Sequence, residues 1–407
     1  SRPTANSALY QEPIQLTETA VVRARSFAGS LLASPIHTRT YIIGEQTQLP
    51  VVSLVTDPAH LWDPEIGIYV DENIESRKDW ERPAAIALYE ADGSSGFQAE
   101  TSIRLFGRSA IHLPQKSLAV FITDGGHGQN YLTYRLFPDR GLGHYSAFLL
   151  RSGSDDWAGT MLRDGFGQEA LVTHLELGTQ ACRPALLFVN GSYFGIHNIR
   201  EKQNEDYLVT SYDADLDDLD LLFVGHNYGR DLGDGRIDLE TLHGDAGDFE
   251  ALLAFALSQD LTAPENYSVI QARLNTDHFI DYIIAESYAG NTSWHRNRKV
   301  WRAQPPAERW DFLVSDLDRG FGRRNIYTLQ DILSLDPLFG ALLTNKNFQN
   351  HFIQRFAQHL NVTFEPQRLA ALVDRLQVDI APEIERQRAF WQIADWWTDN
   401  YEREAQI

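Results

Sequence analysis

Cysteine is almost absent from this chain. Cys182 is the single thiol in 407 residues, so no internal disulfide can staple the fold. Such a chain suits the cytoplasm, or bacterial export without disulfides, and composition does not separate the two. No run of about 18 apolar residues occurs, so no transmembrane helix is expected. No signal peptide is visible and the chain begins at Ser1 rather than Met, which reads as a trimmed chain whose native start lies upstream. Positive charge is scarce as well: 35 Lys and Arg stand against 56 Asp and Glu, a formal net charge of -21. An average surface of that sign repels phosphate backbones, so neither nucleic acid nor anionic membrane is an expected partner. A local basic pocket for a nucleotide remains compatible with it. The sequence has no Walker A motif, no G-x-S-x-G and no H-E-x-x-H, and it carries no internal repeat or low-complexity tract.

Hydrophobic residues make up 43% of the chain and aromatic residues 11%, enough for a substantial core. The length suits one large domain with an appendage. Residues 1–45 read as strands: Val21 to Phe27 alternates, and Thr38 to Ile43 closes the segment. Further strands are expected at Val51–Val55, Gly67–Val70, Pro83–Glu90, Thr101–Phe106 and Lys116–Thr123, with helical spacing at Gly159–His174. Asn190-Gly191 between two apolar runs predicts a tight hairpin. Beyond about Asp206 the character turns helical, with Asp248 and Thr276 as expected caps and Gly290 as a stop. Strands first and helices later predict an α+β fold, a sheet-rich lobe followed by a helical one. The expected divisions are 1–45, 46–205 and 206–407.

Several stretches carry candidate chemistry. The strand Trp310–Val314 leads into Asp316-Leu317-Asp318-Arg319-Gly320. Carboxylates at i and i+2 of a strand share a face, repel, and are relieved by a cation; hard oxygen donors of this kind favour Mg²⁺ shared with a phosphate. The bland alternative is a solvated strand end. Asn291 to Trp301 places polar residues among tryptophans after a helix, the setting of a functional loop or of a decorated surface turn. Arg104 to Ser109, followed by Lys116 at the head of a strand, offers a phosphate contact or an ordinary surface lysine. Leu150 to Asp164 reads as a loop that caps the next helix, and Glu201, closing the strand from Gly195, reads as a partner for a lysine or as an exposed charge on a strand end. The acidic run Asp213–Asp220 fails the EF-hand template, since its sixth and twelfth positions are Asp218 and Val224. Asp231–Asp238 reads as a Gly-rich acidic insertion.

In order and spacing, the segments Gly67–Val70, Arg104–Lys116, Leu150–Trp157, Asn190–Glu201, Asn291–Trp301 and Asp316–Asp318 resemble the CotH (spore coat protein H) family of atypical kinase-like proteins. The resemblance runs from about Leu49 to the C-terminus. Residues 1–45 resemble the C-terminal half of a chitobiase-type β-sandwich module. The resemblance implies a two-lobe protein-kinase-like fold that binds ATP with Mg²⁺, or Mn²⁺ in its place, and phosphorylates Ser or Thr of secreted, cell-surface or coat proteins of a bacterium. It assigns Lys116, with Arg104, to the nucleotide and Glu201 to a partnership with Lys116. Asn297 and Asp316 or Asp318 become metal ligands, and Ser293 takes the catalytic position. Family members carry an aspartate there, in an Asn-x-Asp-Trp pattern, and Asn297 stands one residue closer than the common spacing. Three readings stay open: a working kinase, a pseudokinase acting as an interaction protein, or another adenylate chemistry. A monomer is expected. With nine tryptophans, a glycan is the alternative partner, provided that several of them form one exposed row.

Overall fold

The computed structural model describes residues 2–29, 31–123, 130–141, 143–172, 174–175, 177–226, 237–303, 309–322 and 326–393. The expected insertion at Asp231–Asp238 lies almost wholly outside them. In chain order the elements are β1 (Ala20–Ala24), β2 (His37–Tyr41), β3 (Val51–Thr56), α1 (Pro58–Trp62), α2 (Ile74–Arg77), β4 (Arg82–Tyr89), β5 (Ser95–Phe106), β6 (Ser117–Ile122), β7 (Leu132–Tyr134), β8 (Gly143–Tyr145) and β9 (Ala147–Arg151). Then come α3 (Arg163–Val172), β10 (Cys182–Val189), β11 (Ser192–Glu201), α4 (Glu205–Tyr212), β12 (Leu219–His226), β13 (Ile237–His243), α5 (Gly247–Ser258), α6 (Pro264–Arg273) and α7 (Thr276–Ala289). The last are β14 (Arg298–Ala303), β15 (Asp311–Leu313), α8 (Thr328–Leu335), α9 (Pro337–Leu342), α10 (Lys346–Asn361) and α11 (Pro366–Trp391). The fold is mixed α+β. No described helix is long and apolar enough to cross a membrane.

Two compact units divide these elements. The first takes Ser1–Trp157, Arg183–Arg200 and the end of the last helix from Val378; the second takes Ala158–Cys182 and Glu201–Gln377. In the first unit seven strands close a barrel in the order β10-β11-β9-β6-β5-β4-β3. Closure comes from a parallel pairing of β10 on β3, with Leu186 opposite Val51. Every residue of β3 and β9 is buried, as expected where both faces of a strand are covered. From Thr101 to Leu105, β5 alternates, burying Thr101, Ile103 and Leu105. Asn190 and Gly191 both take positive φ, +53° and +85°, which lets a two-residue turn match the strand twist. At the N-terminus, β1 and β2 form a two-stranded sheet. It is tied to the barrel by Thr40 Oγ1 and Ser53 Oγ at 2.7 Å and by Tyr89, whose hydroxyl donates to the Thr40 carbonyl at 2.5 Å.

The segment Gly67–Val70 is not a strand. Ile68 and Tyr69 donate their amides to the carbonyls of His60 and Leu61 at 2.9 and 2.8 Å. A Cβ on Gly67 would meet the Asp63 and Leu61 carbonyl oxygens at 2.6 Å. The glycine is there for close backbone approach, which leaves no free edge for a ladder.

The second unit packs around α7. Phe279, Ile280, Tyr282, Ile283 and Ile284 are each 0% exposed, so this helix is covered on every side and sits at the centre of its core. Its N-cap is Asn275, one residue before the expected Thr276; the Asn275 side chain accepts from the His278 amide. Gly290 ends it in the left-handed conformation, φ +62°. Asp248 is not a cap: it lies inside the first turn of α5 and takes guanidinium hydrogen bonds from Arg273 and Arg302. Nor is this part of the chain only helical, since β13-β12-β14-β15 form a four-stranded sheet. The acidic run before β12 masked an apolar strand whose Leu221 and Leu222 are fully buried. Asp220, from that run, is 4% exposed and paired with Arg302 at 2.8 Å.

One ion pair in this core is fully desolvated. Arg298 Nη2 meets Asp336 Oδ2 at 2.6 Å, with side chains 2% and 0% exposed. Asp336 also caps α9 by accepting from the Phe339 amide at 2.8 Å. Removing the carboxylate takes the ion-pair partner from a buried guanidinium and opens the cap, so Asp336→Ala is expected to lower unfolding free energy by about 3–5 kcal/mol. Urea denaturation measures this, and a loss below about 1 kcal/mol would show the pair to be dispensable.

Candidate functional site

The second unit gathers three of the residues singled out from sequence. The antiparallel pair β14–β15 sets Lys299 opposite Leu313. Two positions further along, Ser315 donates its hydroxyl to the Asn297 carbonyl at 2.8 Å. Val314 is pinned by its own amide to the Gly178 carbonyl at 2.9 Å, and its carbonyl accepts from Gln203 Nε2 at 3.0 Å. The chain then leaves the strand. Asp316 takes φ +59°, a left-handed conformation that costs a non-glycine residue on the order of 1 kcal/mol and persists only where surroundings impose it. The alternation that put Asp316 and Asp318 on one face of a strand therefore does not hold, because β15 ends at Leu313 and the backbone reverses hand at Asp316. Asp316 is half-buried and Asp318 is 3% exposed.

Around Asp316 the side chains interlock. Asn297 Nδ2 donates to Asp316 Oδ2 at 2.8 Å and approaches Ser293 Oγ at 3.4 Å. Asn291, fully buried, uses its whole amide. Its Nδ2 donates to Glu286 Oε2 at 2.8 Å and to the Asp316 carbonyl at 3.3 Å. Its Oδ1 accepts the Ser293 amide at 3.0 Å and the Ser293 hydroxyl at 2.9 Å. Ser293, Asn297 and Asp316 thus stand together on a frame made by Asn291 and Glu286. Asp164 adds to the frame by accepting the Leu317 amide at 2.9 Å. Burial pushes the Glu286 carboxyl up to about 8, against smaller lowering effects from Asn291, Tyr282 and Arg298. Burial likewise carries His295 down to about 4, helped by the neighbouring Arg296, and Lys299 down to about 7. The Lys299 ammonium donates to the Gln203 carbonyl at 2.7 Å. Glu201, in the same unit, accepts the Ala181 amide on Oε2 at 2.8 Å.

Lys116 and Arg104 belong to the first unit. The Lys116 side chain is 2% exposed, and its ammonium donates to Asp71 Oδ1 at 2.8 Å and to the Leu113 carbonyl at 2.9 Å. It stands 5.2 Å from the centre of the Tyr69 ring, whose hydroxyl accepts the Lys116 amide at 2.6 Å. Gln387, from α11, locks the adjoining strand by accepting the Ile196 amide at 2.8 Å, and donates to Gln115. Arg104 lies 3.9 Å from Asp79 and 5.0 Å from the Phe121 ring. Asp71 was not foreseen, and nothing in its sequence setting marks it. Glu286 had a readable signal: a lone carboxylate after Ile283-Ile284-Ala285 on a helix with no polar face there.

The donor set Asp316, Asn297 and Ser293 is all oxygen on its ligating side, if the Asn297 amide turns its oxygen outward. That fits a hard cation such as Mg²⁺. Among the described residues no three His, Cys, Asp or Glu side chains converge to hold a metal by themselves. Among the described tryptophans Trp294, Trp301 and Trp310 are buried and only Trp62 is exposed, so they form no exposed row.

An α+β protein with an oxygen-donor cluster of this kind is a kinase-like protein by family as well. The chain matches the CotH kinase protein family over residues 103–407, and it belongs to that family. The match begins later than the Leu49 expected from the motifs. No curated protein matches the chain.

Glu286 gives the site a pH signature. The folded state holds this carboxyl at about 8, above its ordinary 4.5, so its favourable neutral form is present in full at acid pH. That contribution is lost as pH rises through 8. Glu286→Gln keeps an acceptor for Asn291 and does not ionise. Its melting temperature relative to the parent should therefore climb steadily between pH 5 and pH 8; a difference that stays flat would show that Glu286 is not held neutral.

Proposed function

We propose that this protein is an atypical, two-lobe kinase-like phosphotransferase. In this reading it binds ATP with Mg²⁺, or Mn²⁺, and transfers phosphate to Ser or Thr of secreted, cell-surface or coat proteins. The observation that carries the proposal is the joined cluster of Asp316, Asn297 and Ser293. Bound there, a divalent cation would supply neutralisation of phosphate charge, the main requirement of phosphoryl transfer. Asp316 and Asn297 would hold it, with Asp318 as the alternative carboxylate. Lys116 would contact phosphate as a point charge; its partner Asp71 is 82% exposed and can yield to a stronger anion at little cost. Family membership supports the kinase-like part of the reading. The nucleotide, the metal, the substrate and export are the proposal's own.

The second reading is a pseudokinase that binds nucleotide without turnover and serves as an interaction protein. Ser293 favours it: a serine hydroxyl is no base near neutral pH, and this one already donates to Asn291.

The two readings share a first experiment. ATP should raise the melting temperature only with Mg²⁺ or Mn²⁺ present, and Asp316→Ala should abolish the shift. No shift at millimolar ATP would leave the kinase relationship as ancestry alone. Where binding is found, γ-phosphate transfer to protein hydroxyls separates the readings. If Ser293 occupies the base position of a working kinase, Ser293→Asp should raise transfer by about 10²-fold; an unchanged rate would remove that role from this position.

A further inference from the structure

Away from these residues the first unit contains a cavity of about 890 Å³. It lies where the β1–β2 sheet meets β3, β4, β5 and β6, and its size is that of a small-molecule site. Its basic lining is Arg2, Arg23, Arg25, Arg39, His37 and His60. The two carboxylates in the lining are Asp57 and Glu100. Asp57 is occupied in part as the cap of α1, accepting the Ala59 amide at 3.1 Å.

The arginines are the unusual feature. Arg25 donates to the carbonyls of Ser34 and Ala33 at 2.9 and 3.3 Å, and Arg39 to the Thr38 carbonyl at 3.3 Å. Among the described residues Arg23 has no side-chain partner, and its Nε is buried and unsatisfied. Among the described residues no carboxylate pairs with any of these four arginines. Acidic side chains outnumber basic ones 56 to 35 in this chain, so carboxylate partners are plentiful elsewhere. Grouping guanidinium groups without a carboxylate partner in one concavity costs repulsion and the desolvation of Arg23 Nε, and the neutral carbonyls bonded by Arg25 and Arg39 leave that charge uncompensated. An anion with oxygens in more than one direction would satisfy both, through the forked hydrogen bonds at which guanidinium excels. Gln98, Thr56 and Thr133 also line the space, with the Thr56 hydroxyl already donated to the Pro83 carbonyl at 2.7 Å.

We propose that this cavity binds a small ligand bearing several oxyanions, either phosphates or the carboxylates of an acidic saccharide. The net charge of -21 opposes anion binding on average, so a local basic cluster is what would hold an anion. The inference does not depend on the kinase reading.

The test is calorimetric titration of the whole chain at low salt, without divalent metal, using inorganic tripolyphosphate, trigalacturonate and neutral maltotriose. Saturable binding of tripolyphosphate or trigalacturonate is expected, and whichever binds tighter identifies the source. Arg23→Gln with Arg39→Gln should weaken it by about tenfold or more, with the melting temperature of the free chain unchanged or raised, because neither guanidinium bonds another side chain and their removal relieves repulsion. Asp316→Ala should leave it intact, which separates this cavity from any nucleotide site. Three results would each overturn the proposal: no anion binding at millimolar concentration, equal affinity in the double variant, or equally tight binding of maltotriose.

Discussion

The second unit turns on the side chain of one buried asparagine. Asn291 follows the glycine that ends α7, and it ties that helix end and the Ser293 turn to the distant Asp316 segment. Its amide nitrogen reaches Glu286 and the Asp316 carbonyl; its amide oxygen gathers the amide and hydroxyl of Ser293. No other side chain of similar size offers two donors and a double acceptor in this arrangement. A leucine there would leave the Ser293 amide without its acceptor and take the Asn291 donor from Glu286, and an aspartate would lack that donor and set like charge beside Asp316. The local order of the donor cluster depends on this residue being satisfied on all sides.

The same dependence explains two costs that the sequence tolerates. Asp316 holds a left-handed backbone where glycine would be comfortable. Glu286 is carried wholly into the core with its carboxyl held neutral over most of the physiological range. Both are unfavourable taken alone. They make sense as parts of a frame that fixes Asn297 Nδ2 against Asp316 Oδ2, because a site that must accept charge works best when its dipoles are placed beforehand.

Much of the scaffold was legible because its signals are local. The Asn190-Gly191 turn follows from positive φ at both residues, and β3, β4, β6, β10 and β11 follow from apolar runs between turn residues. Ser293, Asn297 and Asp316 could be grouped from family spacing, and the register of β14 on β15 places them together. Three kinds of feature were hidden. Gly67–Val70 carries a strand-like composition, but the glycine serves close approach to α1. The strand β12 follows acidic residues that read as solvated, although Asp220 is buried against Arg302. The i, i+2 geometry assumed for Asp316 and Asp318 fails because one dihedral changes sign, which no side-chain pattern reveals. Partners such as Asp71 and Gln387 act from far along the chain, where only the fold brings them near Lys116 and Gln115.

The identity of residue 293 can be weighed against its surroundings. Ser293 gives its hydroxyl proton to Asn291 Oδ1, an acceptor fixed because Nδ2 is committed to Glu286. An aspartate at this position has no proton to give and would face that oxygen acceptor to acceptor. It would have to turn away, and the donor within reach of residue 293 is Asn297 Nδ2, already engaged by Asp316. Two carboxylates would then compete for one amide and repel each other, a conflict that a divalent cation relieves. With serine the cluster is complementary as it stands, with no need of metal to settle it. A family aspartate here would tie the integrity of the cluster to a bound cation, whereas the serine uncouples them. That difference, more than the missing base alone, is the physical reason to keep the pseudokinase reading beside the catalytic one.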